Sequence, residues 1–142
     1  MAETSLRRAR TIIRKTLDHG KAAGMKPLSV IVLDSGGNPI AFERSDRASP
    51  GRYQIAHGKA YGAVMLGMPG SAQMKRAEDQ AYFIACANGA FGGALVPVPG
   101  GVLVRDGKGR LLGAVGVTGD TSDNDAAAAK AGIEAAGLEA EV

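Results

Sequence analysis

The chain has 142 residues, 45% apolar and 22% charged, which fits one soluble globular domain with a real core. Its net charge of +3 is too mild to point to nucleic acid, and a single cysteine excludes an internal disulfide and any multi-cysteine metal site. No apolar stretch near the N-terminus is long enough for a signal peptide or a membrane span, so the expected location is the cytoplasm.

Residues 4–23 predict an amphipathic helix. Leu6, Ala9, Ile13 and Leu17 recur at helical spacing, and Gly20 and Gly24 suit its end. The basic run Arg7, Arg8, Arg10, Arg14 and Lys15 then forms the wet face of that helix. Residues 30–33 and 40–43 are short strands joined by the turn "DSGGNP". A second helix starts at Arg52 and stops at the breaker "GMPGS". A third is expected over 71–88, with Met74, Ala77, Ala81, Ile84 and Ala85 on one side and Cys86 as an inert buried thiol. "GGALVPVPGG" is a rigid connector, and "GVLVRDGKGRLLGAVGV" is a second hairpin turning at "DGKG". The last helix runs over 123–136. The order α-β-β-α-α-β-β-α predicts an α+β fold, an antiparallel sheet flanked by helices. With no repeat and no linker, residues 1–142 form a single domain.

The run "GVTGDTSDND" joins the last strand to the last helix. A calcium loop beginning at Asp120 needs Gly at its sixth place and Glu at its twelfth, where Asp125 and Ala131 stand, so calcium is excluded. Ser122 and Asp125 instead resemble a capping box. Gly116 and Gly119 permit close approach of a ligand or backbone, and the acidic load argues against pyrophosphate. A carboxylate, hydroxyl or amide partner suits the corner better. "GKGRLLG" misses dinucleotide spacing, and neither a P-loop nor a G-x-S-x-G elbow is present.

His57, Tyr53, Tyr61 and Met65 step by four along the second helix and share a face. That face suits a ligand, with His57 or, less well, Met65 as axial ligand to a haem iron; a subunit contact is the plainer alternative. His19 is the other candidate metal ligand, but two histidines in distant helices make a poor zinc site. Lys59 sits among Ile55, Ala56, Ala60 and Ala63. It is either a structural ion pair, with Asp46 the nearby partner, or a desolvated amine able to move a proton or hold an anion. Arg44 and Asp46 alternate at the end of the second strand, where an arginine can fork a carboxylate or tie to its neighbour.

Taken together, "VIVLDSGGNPIAFERSD", "QIAHGKAYGAV", "VPVPGGVLVRDGKGRLLGAVGVTGD" and "SDNDAAAAKAGI" resemble the GlcG/HbpS-like family, which includes the C-terminal domain of PduO-type proteins. The resemblance implies a profilin-like or roadblock-like layer, a homo-oligomer (dimer or larger), and a small-molecule ligand that is haem, another tetrapyrrole or a small organic anion. It carries the family's motifs onto Arg44 and Asp46, Lys59 and Ala60, Gly100 and Gly101, and Gly116 to Asp120, with Thr118 where serine is usual. Gly119, Asp120, Thr121 and Ser122 are then expected to face the ligand, together with His57, Tyr61, Gly100 and Gly101. Beyond haem no cofactor is implied, and neither nucleic acid nor membrane is a partner. The alternative is a cofactor-independent isomerase, dehydratase or lyase of a catabolic pathway, acting on an oxo or hydroxy acid. There Lys59 moves a proton, Arg44 and Asp46 complete the catalytic set, and backbone N–H groups near Gly100, Gly101 and Gly119 steady an enolate.

Overall fold

A computed structural model describes residues 4–142. Helix α1 (Leu6–Ala22) opens on Ser5, whose hydroxyl accepts the Arg8 N–H and satisfies one otherwise free donor of the first turn. Ala9, Ile12, Ile13 and Thr16 are buried while the arginines stay outside, as the amphipathic pattern requires. Strands β1 (Ser29–Asp34) and β2 (Pro39–Arg44) form the first hairpin. The Asp34 carboxylate closes its turn by accepting N–H groups of Gly36 and Asn38, each at 2.9 Å. The Asn38 backbone bond is the main reason that carboxyl stays below its ordinary range.

Helix α2 (Arg52–Leu66) ends on Gly67 in the left-handed conformation, φ 65°. The single helix expected next is two: α3 (Gly70–Asp79) and α4 (Ala81–Ala90), broken at Gln80. No glycine or proline marks the break. Arg76 spans it, donating to the Gln80 side chain at 2.6 Å and lying 4.1 Å over the Phe83 ring. The break also reorients the expected apolar side: only Ile84 of α4 is buried, and Cys86, expected inside, is exposed.

Strands β3 (Gly101–Arg105) and β4 (Leu111–Thr118) form the second hairpin, and α5 (Ser122–Ala135) follows. A short strand, β5 (Glu139–Glu141), pairs with β3 and is held by Arg105 Nε donating to Glu141 at 2.7 Å. The sheet order is β2-β1-β4-β3-β5, antiparallel throughout.

Alternate residues of β1 serve opposite faces. Val30 and Val32 join Ile12, Ile13, Val115, Val117 and Ile133 beneath α1 and α5. Ile31 and Leu33 pack against Ala56, Ala60 and Ala63 of α2. The result is a layered α+β domain, with α1 and α5 on one face and α2 on the other, backed by α3 and α4. Among the described residues, no helix is long and apolar enough to cross a membrane.

The α2 layer sits unusually close to the sheet. Gly101 and Gly116 face each other across β3 and β4, and a Cβ on either would strike the α2 backbone, at Lys59 and Ala56 carbonyls respectively. These two glycines form a saddle in which α2 lies. Its depth fixes the height of every side chain that α2 presents.

Candidate functional site

With its inner face seated, α2 turns Tyr53, His57 and Tyr61 outward, one turn apart. The Tyr53 and His57 rings stack at 6.1 Å and 25°, and His57 and Tyr61 at 5.2 Å and 19°. Phe42 of β2 closes one end edge-on at 5.0 Å, and Phe91, just past α4, closes the other at 6.1 Å. The chain has three Tyr and three Phe, and four of these six rings join His57 in this ladder. Beside it lies a cleft of 310 Å³ with Tyr53, Gln54, Ile55 and His57 on one wall and Gly93, Ala94 and Val96 on the other.

Stacking covers the two faces of the His57 ring but not its edge. A ring nitrogen binds a metal through its in-plane lone pair, so the edge is the functional part. Neither nitrogen has a hydrogen-bond partner among the described residues. Burial pushes the His57 pKa below 6.5, so the ring is neutral near pH 7 and the lone pair is free.

His19 lies elsewhere. It is in the last turn of α1, on the opposite layer. The structure therefore does not bring the two histidines together. Met65 lies one turn beyond Tyr61, and both contact the β1–β2 turn at Gly37.

Lys59 is buried, as expected, but its partner is Asp125 and not Asp46. Nζ donates to the Asp125 carboxylate and to the Val117 carbonyl, each at 3.0 Å, with side-chain exposures of 3% and 1% for the pair. The amine passes the glycine just before β3: a Cβ on Gly100 would lie 2.8 Å from Nζ. The pair thus links α2 to α5 around the sheet end. Burial lowers the Lys59 pKa and the charge of Asp125 works against that.

The corner after β4 is built differently from a Ser122–Asp125 capping box. The cap is Thr121, whose hydroxyl accepts the Asn124 N–H at 3.2 Å, while Asp125 turns inward and also accepts the Asp120 N–H at 3.0 Å. Asp120 reaches the other way and accepts the Lys26 N–H at 3.0 Å and the Asn124 amide at 2.7 Å. These bonds, Lys26 first, bring the exposed Asp120 carboxyl from 3.8 down to about 2. Gly119 lies against Pro27 and Leu28. Gly119 and Asp120 therefore dock the α1–β1 loop while Thr121 and Ser122 begin α5, and none of the four lines the His57 cleft. Gly100 and Gly101 lie beside Lys59, likewise apart from it.

Arg44 and Asp46 border a separate cleft of 420 Å³ between the end of α1 and the end of β2, with Lys21, Lys26 and Glu43. Phe42, Phe91 and the cleft-wall residues Gly93, Ala94 and Val96 escape sequence inspection, because they come from two segments distant from α2 in the chain. The signal for Asp125 was present: a buried lysine demands a carboxylate, and Asp125 precedes the buried Ala126, Ala128 and Ala129.

A family model described as haem degrading protein HbpS-like matches residues 5–134. No curated protein matches the chain significantly. Among solved structures, a PduOC–haem complex superposes with TM-score 0.86 at 19% identity, covering 99% of both chains. A double mutant of Streptomyces reticuli HbpS gives TM-score 0.79 at 27% identity, covering 94% of this chain and 87% of the other. Klebsiella pneumoniae ORFY gives 0.81 at 21%, covering 94% and 90%.

Proposed function

Since the chain belongs to the HbpS-like family of haem-degrading proteins, we propose that it binds haem, with His57 as the residue that would hold the iron. The observation that carries this is the neutral His57 ring, clamped between two tyrosines with its edge free at the cleft. The residues present fit the group. Tyr53, Ile55, Ala94 and Val96 offer apolar contact to a flat macrocycle, and the stack holds the imidazole in one orientation. When bound, the iron supplies redox and oxygen chemistry; the chain's own part is to orient the imidazole and exclude water from one edge of the site. The names of the relatives support this ligand: one is a haem complex and another is HbpS.

Haem titration is expected to give a Soret band that His57→Ala shifts and weakens while His19→Ala leaves it unchanged. Affinity falls as pH drops through and below the lowered His57 pKa, because a proton competes for the same lone pair. A Soret band indifferent to His57→Ala removes the proposal.

Proton transfer by Lys59 draws no support from this geometry, since its amine is bound to Asp125 and the Val117 carbonyl. Self-association is part of the proposal. Helix α4 carries no charged residue and exposes Tyr82, Ala85, Cys86 and Ala90 along one side, a surface suited to a second copy. Light scattering is expected to give at least a dimer, and Tyr82→Glu to dissociate it; a monomeric parent protein overturns this part.

A further inference from the structure

The site lies at the other end of the α2 face, around a row of polar side chains. Strand register sets Arg44 of β2 opposite Ser29 of β1, and Ser29 opposite Thr118 of β4. Residues directly opposite in a sheet point to the same side. Ser29 shares its face with Ile31 and Leu33, which pack on α2, so the whole row points toward that helix. Above it, Arg52 at the start of α2 donates to the Thr118 hydroxyl at 2.8 Å and to Ser49 at 3.0 Å.

Ser29 is fully buried, yet its hydroxyl has no partner. A buried polar group without a partner is costly and uncommon in a native protein. Its neighbours in the row supply no acceptor charge. Neither Arg44 nor Arg52 forms an ion pair among the described residues. Arg52 is also close enough to Lys59 for their charges to oppose each other. The first turn of α2 holds no acidic residue, and its cap, Gly51, has no side chain to satisfy the free N–H groups. The positive end of a fifteen-residue helix, two arginines and an orphan hydroxyl therefore converge with no anion to balance them. Glu43 and Asp46 line the neighbouring 420 Å³ cleft, which Arg44 also borders, and their carboxylates make that cleft unsuited to be the anion's seat.

We propose that this row is a carboxylate-binding site, with Arg44 and Arg52 gripping the anion and Ser29 and Thr118 donating to it from below. Thr118 accepts from Arg52 and keeps its own hydroxyl hydrogen to donate. The carboxylate belongs either to a small organic acid or to an acidic side chain of a larger ligand held at His57.

The test is calorimetric titration with malonate, without haem. One saturable site is expected, weakened roughly tenfold by Arg44→Gln and measurably by Ser29→Ala. Ser29→Ala removes an unpartnered buried hydroxyl, so its melting temperature is expected to stay level or rise, which separates lost binding from lost folding. His57→Ala is expected to keep malonate affinity, so failure of the haem proposal leaves this one standing. Repeating the haem titration with Arg44→Gln distinguishes the sources: weakened haem binding assigns the carboxylate to the porphyrin, and unchanged haem binding assigns it to a separate acid. Absence of saturable malonate binding, or binding that neither variant alters, overturns the proposal.

Discussion

Asp125→Ala lowers the stability of the fold by about 3–5 kcal/mol, read as a fall in the urea midpoint. The change leaves the Lys59 ammonium buried with only the Val117 carbonyl for company, and strips the Asp120 N–H of its acceptor. Removing one partner of a buried pair is costly because the remaining charge cannot be rehydrated. The double variant Asp125→Ala with Lys59→Met is therefore expected to be more stable than Asp125→Ala alone, although it has lost more native contacts. The methionine keeps most of the lysine's length and carries no charge. A double variant no more stable than the single one would show that packing, and not the stranded charge, sets the loss.

The second large effect comes from one methyl group. Gly116→Ala drives a Cβ into the Ala56 carbonyl and leaves it 3.0 Å from the Ala60 Cβ. The sheet and helix must separate, at about 1–3 kcal/mol for an overpacked site. Gly107→Ala is the control, because nothing lies within 4 Å of the added carbon. Thermal melts are expected to rank Gly107→Ala beside the parent protein and Gly116→Ala well below it. Equal melting temperatures would mean that the saddle yields without strain. The displaced helix also carries His57, so the haem spectrum of Gly116→Ala should change along with its stability.

Much of the architecture was legible because period and punctuation agreed. The α1 stripe, both hairpins and the Gly67 stop each show in a short window of sequence. The failures have local causes. Gln80 breaks a helix without glycine or proline, and what holds the break is Arg76 bridging Gln80 and Phe83. Strand β5 is three residues, Glu-Ala-Glu, too short to show a period; it exists because β3 offers an edge.

The candidate site divides in the same way. Tyr53, His57 and Tyr61 were visible because a helix repeats every few residues. Phe42 and Phe91, which close the ladder, come from elsewhere in the chain and give no local sign. Asp46 was the expected partner of Lys59 because it is near in sequence, whereas Asp125 lies 66 residues away and is brought close only by the packing of α5. Proximity along the chain is a poor guide to which charge a buried lysine finds.

The aromatic ladder has an optical consequence. The protein has no tryptophan and only three tyrosines, so its intrinsic ultraviolet emission arises from Tyr53, Tyr61 and Tyr82. Two of these three lie against the faces of His57, while the third stands on α4 at 70% exposure. The chromophores that dominate its spectrum are therefore built into the proposed binding site, and the molecule carries its own gauge of that site's occupancy.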